Sequence, residues 1–203
     1  EAGYMAAEAR FRREFDRLVP LLGRYGVTLG IQNHCGQFVA NACGLRRLLE
    51  PYDRGLIGAV WDVAHCALAG EEPELAADIL WDHLCMVNLK NAFWRRRGGP
   101  EAESVAWHPY WTSGRQGLAS WPRAVAQLKA RGYAGTVCLC AEYDAEEDVV
   151  RLAAEDLDRP GGEGVGRVRV KLSEDEQLTQ APGTGRGYRG SGLLDLADFG
   201  GGR

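Results

Sequence analysis

The stretch Leu56-Ile-Gly-Ala-Val-Trp-Asp-Val-Ala-His65 decides how the whole chain is read. An unbroken apolar run from Leu56 to Trp61 opens onto two polar residues, Asp62 and His65. A strand with one face in water would alternate, whereas continuous hydrophobicity suits a strand of a parallel sheet covered on both faces. Asp62 and His65 then stand at its exit.

The same grammar extends in both directions. Upstream, a helical Leu45-Arg-Arg-Leu-Leu-Glu50 and a turn from Pro51 to Gly55 lead into this strand. Before them, Val27-Thr-Leu-Gly-Ile31 is a short buried strand ending in Gln32, Asn33 and His34. It follows an amphipathic helix from Ala2 to Arg24, whose Phe11, Phe15, Leu18, Leu21 and Leu22 recur at helical spacing before Gly23 and Gly26 stop it. Downstream, a helix from Glu74 to His83 begins after Pro73, a residue suited to a first turn. A third strand, Leu84 to Leu89, brings Asn88, Lys90 and Asn91 to its end. A long polar and aromatic segment from Asn91 to Ser120 reads as a loop, and a helix from Trp121 to Arg131 follows it. A fourth strand starts at Thr136 and ends near Glu142, and a last helix runs from Glu146 to Leu157. Strands alternating with helices predict parallel βα units, whose ligands bind at the carboxyl ends of the strands in barrels and open sheets alike.

The chain has 203 residues, 45% of them apolar, enough for one core and one domain over residues 1–157. Residues 158–203 are glycine-rich without apolar periodicity and are expected to form a disordered tail. Their Gly183-Thr-Gly-Arg-Gly187 lacks the flanking strand and helix of a phosphate loop. A net charge of -4 argues against a nucleic-acid partner. No apolar run is long enough for a membrane span, so no membrane partner is expected. Cys35, Cys43, Cys66, Cys85, Cys138 and Cys140 lie in apolar surroundings with no CxxC pair, as reduced core thiols of a cytoplasmic protein would.

Four strand ends carry a further signal. Gly30-Ile-Gln-Asn-His34, Asp62-Val-Ala-His65, Val87-Asn-Leu-Lys-Asn91 and Gly132-Tyr-Ala-Gly135 leading to Glu142 together resemble the sugar phosphate isomerase/epimerase family of xylose isomerase-like TIM barrels. The resemblance covers about residues 10 to 157 and implies an α/β fold: the last four βα units of a (β/α)8 barrel whose N-terminal half lies outside this chain. It places Gln32, Asp62, Asn88 and Glu142 at metal-ligand positions, with Gln32 where the family has Glu and Asn88 where it has His. It makes Glu142 and His65 the catalytic candidates and gives substrate contacts to His34, Lys90 and Arg115, the last in Ser113-Gly-Arg-Gln-Gly117. The implied partner is a small sugar, ketose or polyol, and a homo-oligomer is an open expectation. The implied chemistry is proton abstraction beside a carbonyl, assisted by a divalent ion such as manganese or magnesium.

Two readings stand for most of these residues. An all-oxygen set with two amides binds such an ion weakly or not at all. Asp62 also suits a helix N-cap, Glu142 a solvated strand end, and His34 either a replacement ligand or a loop hydrogen bond. Lys90 either binds a carboxylate or phosphate or is merely exposed. The whole protein is accordingly expected to be an isomerase or epimerase, or a catalytically degenerate sugar-binding barrel.

Overall fold

A computed structural model of the protein describes residues 3–145, 148–157, 168–172 and 194–195. The expected first helix is α1 (Tyr4–Tyr25), ended by Gly26 at a φ of 61°, a left-handed conformation that glycine adopts without strain. Strand β1 (Leu29–Gln32), helix α2 (Ala42–Leu49) and strand β2 (Ile57–Asp62) follow. Asn41 accepts from Gly44 N and the buried Glu71 accepts from Ala42 N and Cys43 N, so α2 begins with its amides satisfied. A short helix α3 (Val63–Leu68) leaves β2 directly, and α4 (Pro73–Leu80) ends in a 3-10 turn from Trp81 to His83 before strand β3 (Leu84–Leu89).

Strands β4 (Asn91–Arg97) and β5 (Ala106–Thr112) pair antiparallel from Asn91↔Thr112 to Arg97↔Ala106. The segment expected to be a loop is therefore a hairpin with a long tip. Its paired residues Phe93↔Tyr110 and Arg95↔His108 lie on one face, with Trp94 and Arg96 on the other. Helix α5 (Trp121–Ala130), strand β6 (Thr136–Ala141) and helix α6 (Val149–Leu157) complete the expected units. Two further strands, β7 (Val168–Leu172) and β8 (Leu194–Asp195), fall in the tract expected to be a disordered tail, and the rest of that tract lies outside the described residues.

The main sheet runs β1-β2-β3-β6-β7-β8, with every pair parallel except β7 and β8. Ile57, Ala59 and Trp61 of β2, with Val87 and Leu89 of β3 and Val137, Leu139 and Ala141 of β6, join one core with Leu45, Leu49, Leu80 and Leu128 from the helices. The alternate positions Asp62, Asn88 and Cys138 lie beside one another in register. One face of the sheet is thus committed to helix packing, and the other gathers polar groups at the strand ends.

Candidate functional site at the carboxyl ends of the strands

Asp62 closes β2 and caps α3 in the same stroke. Its Oδ1 accepts from His65 N at 3.3 Å, the N-cap bond, while Oδ2 accepts from Gln32 Nε2 at 2.7 Å. Both Asp62 and His65 are 0% exposed. Neighbouring Asn33, also buried, clasps the backbone of Asp62 from β1's end: its Nδ2 donates to Asp62 O at 3.1 Å and its Oδ1 accepts from Asp62 N at 2.9 Å. The cap and the functional reading of Asp62 therefore coexist, one oxygen serving each.

Lys90, two residues beyond Asn88, reaches back across the mouth. Its Nζ donates to Glu142 Oε2 at 2.9 Å and lies 3.7 Å from Asp62 Oδ2. The side chain is 7% exposed, against 32% for Glu142, so Glu142 is the carboxylate an incoming ligand meets. Burial by itself would lower the Lys90 pKa, but Asp62 and Glu142 outweigh it and hold the ammonium above its ordinary range. Burial pushes the Asp62 carboxyl up to about 6, against the opposing pull of Lys90 and the His65 backbone bond. At neutral pH the centre carries one positive and two negative charges.

His65 is held as a neutral ring. Cys35 N donates to its Nδ1 at 3.1 Å, which leaves the ring proton on Nε2, 3.8 Å from Asp62 Oδ2. Burial, with the neighbouring His34 and Lys90 charges, lowers its pKa to about 3. His34 lies against it with ring centroids 4.0 Å apart and donates Nδ1–H to Cys35 O at 2.7 Å. Trp111 of the hairpin packs edge-on to His65 at 5.1 Å and presents its ring to Lys90 Nζ at 5.3 Å. Two buried polar atoms here lack a partner, Asn88 Oδ1 and His65 Nε2. A buried polar atom left unpaired costs stability, so this acceptor and this donor are where a ligand gains most.

Gln32, Asp62, His65, Lys90 and Glu142 are thus drawn together, with His34 on the rim and Asn88 beside Asp62 in register. Arg115 is exposed on the turn after β5, where its charge bears on Asp156 rather than on the centre. Asn33, Cys35 and Trp111 had no role assigned from sequence. Strand alternation was a usable signal for Asn33, which must face away from Gln32 and His34. Trp111 lies in the polar and aromatic segment expected to be a loop, and its placement depends on hairpin register.

A part-barrel of parallel βα units with ionisable groups at the strand mouths defines the class: a TIM-barrel protein. The xylose isomerase-like TIM barrel family model matches residues 1–159, and the chain belongs to that family, which includes sugar isomerases and epimerases. No curated protein matches the chain. Among solved structures it is similar to a xylose isomerase-like TIM barrel protein from Mycobacterium smegmatis in complex with magnesium, at 14% identity and a TM-score of 0.51. The match covers 75% of this chain and 52% of the other, so the chain spans about half the length of that protein. The fold and family are those the strand-end motifs implied. Among the described residues no helix is long and apolar enough to cross a membrane.

Proposed function

We propose that the barrel mouth binds a neutral sugar, ketose or polyol and moves a proton at the carbon beside its carbonyl, an isomerase or epimerase reaction. The observation that carries this reading is the buried Lys90 ammonium bridging Glu142 and Asp62, next to the unpaired Asn88 Oδ1 and His65 Nε2. The half-buried Glu142 carboxylate takes the carbon-bound proton. The electron pair of that C–H bond becomes the new C=C bond, and the former carbonyl oxygen gains the charge of an enediolate. Lys90 N–H and the neutral His65 Nε2–H are the donors on hand for that charge, and Asn88 Oδ1 accepts from a substrate hydroxyl. Proton return to the same carbon from the other face restores the carbonyl and gives epimerisation. Delivery to the former carbonyl carbon, with the hydroxyl proton of the first carbon passing to the enediolate oxygen so that the first carbon becomes the carbonyl, gives isomerisation.

The charge balance also favours a neutral substrate. With two carboxylates already facing one ammonium, a phosphate or carboxylate group would meet net negative charge, which leaves Lys90 a poor anion receptor. The aromatic face of Trp111 offers an apolar surface of the kind sugar rings stack on. Gln32, fixed as a donor to Asp62, favours the second reading, a sugar-binding barrel without turnover.

Exchange of carbon-bound protons with deuterated water, followed by NMR on a panel of neutral ketoses, separates the two. Wild-type protein should exchange, and Glu142→Gln should slow exchange by about 100-fold or more while still binding sugar. Binding without exchange in the wild type would assign the degenerate reading instead.

A further inference from the structure

We propose that Asp144 is a positioning residue for this site: its clasp on the Trp111 backbone sets the indole that steadies Lys90 between Glu142 and Asp62. Its kinetic consequence rests on the reaction proposed above, whereas the placement of the indole stands apart from turnover.

In an antiparallel ladder every second pair exchanges no backbone hydrogen bonds, and its N–H and C=O groups point away from the partner strand. Ala92↔Trp111 is placed as such a pair. Ala92 N donates to Asn91 Oδ1 at 3.0 Å and Ala92 O accepts from Leu118 N at 2.8 Å. Trp111 turns both of its groups the other way: its N donates to Asp144 Oδ2 at 2.9 Å and its O accepts from Asp144 N at 3.0 Å. The outer edge of β5 is thus joined, at Trp111, to the segment two residues beyond Glu142.

What the ring does there follows from its neighbours. Its face is turned to Lys90 Nζ at 5.3 Å and it meets His65 edge-on at 5.1 Å. Lys90 carries its charge on a flexible four-carbon stem, so the direction of the ammonium is set by what surrounds it. Glu142 Oε2 and Asp62 Oδ2 draw it from one side, at 2.9 and 3.7 Å, and the indole face attracts it from another. An indole displaced by about an ångström would loosen the ammonium where the enediolate charge forms, and misplacement on that scale slows turnover by up to about 100-fold.

The residues around Asp144 make its effect separable from loss of the loop. Tyr143 OH donates to Asp156 Oδ2 at 2.9 Å, and Asp156 accepts from Gly114 N at 3.0 and 3.1 Å. These bonds keep the segment after β6 fastened to α6 and to the turn after β5 when Asp144 is changed. Asp144 itself is exposed, so replacing it opens no cavity and frees an amide that water can reach.

Fluorine NMR of the full chain labelled with fluorotryptophan reads the ring directly, with Trp111→Phe assigning its line. Asp144→Ala should move the Trp111 line and leave those of Trp61 and Trp121 in place. Asp144→Asn, which keeps an oxygen to accept from Trp111 N, should return the line to its wild-type position. In the deuterium-exchange assay, with the ketose of the panel that exchanges fastest, Asp144→Ala should lower the rate at saturation about 10-fold with KM changed by less than about 2-fold, and Asp144→Asn should restore the rate. An unmoved Trp111 line in Asp144→Ala would overturn the assignment, as would a shift shared by all the tryptophans or an Asp144→Asn line displaced as far as that of the alanine variant. A moved line with an unchanged exchange rate would overturn the positioning role. Wild-type protein that exchanges no proton would sink the reaction instead, and the fluorine spectra would still decide whether Asp144 places Trp111.

Discussion

Asp62 and His65 adjoin each other but titrate in opposite senses, and the difference is measurable. The Asp62 carboxyl is raised to about 6 by burial, so between about 4 and about 6 the folded state holds a proton that the unfolded chain has released. Its contribution to stability therefore falls as pH rises through that window and is constant above it. In Asp62→Asn this burden is absent, so the stability gap should move in the variant's favour by about 2–3 kcal/mol from pH 4 to pH 7 in urea unfolding. A gap that stays flat would contradict the buried, ionised Asp62. His65 runs the other way: with a pKa lowered to about 3, it stays neutral in the fold while the unfolded ring gains a proton below about 6.5. Stability is lost as pH falls from 6.5 toward 3, and His65→Gln should flatten that acid limb in the same experiment.

At the scale of elements, the hairpin does the most to shape the site and was the least legible. The four parallel strands from β1 to β6 were legible as mainly apolar runs, and their exits are where Gln32, Asp62, Asn88 and Glu142 fall in the chain. Trp94-Arg-Arg-Arg97 and Trp107-His-Pro-Tyr-Trp111 carry no such run, because the hairpin packs by paired aromatics and cations rather than by burial of a continuous face. The Lys90–Glu142 bridge was also hidden, since it spans 52 residues and depends on β3 pairing β6 across the intervening hairpin. What returns the chain from the hairpin to the sheet is Asn91. Its Nδ2 donates to Gly114 O and Ala119 O, and its Oδ1 accepts from Ala119 N at 2.9 Å. Gly117 lies so close that any Cβ there would strike the Asn91 amide. Asn91→Ala should cost about 2–3 kcal/mol in chemical denaturation, because it orphans several buried backbone groups at once. Loss of the Trp111 contact with Lys90 should accompany it, seen as a changed tryptophan fluorescence spectrum.

Across the whole molecule, protection should follow position in the sheet. Strands β2 and β3 have a partner on each side, and β2 is buried at every residue, whereas β1 pairs with β2 alone among the described residues. Hydrogen exchange read by mass spectrometry should therefore be slowest over Ile57–Asp62 and Leu84–Leu89 and clearly faster over Leu29–Gln32. Equal protection of β1 would mean that its free edge is covered in solution. The edge makes the clasp by Asn33 matter more than its size suggests. Beyond Gln32 the β1–β2 ladder has run out of backbone partners, and the Asn33 side chain replaces a peptide group, giving Asp62 both the donor and the acceptor that a further strand residue would have given. The rim on this side is therefore riveted by one carboxamide: exchanging its nitrogen for oxygen, as in Asn33→Asp, would set a carboxylate against a carbonyl and spring the seam that aims Asp62.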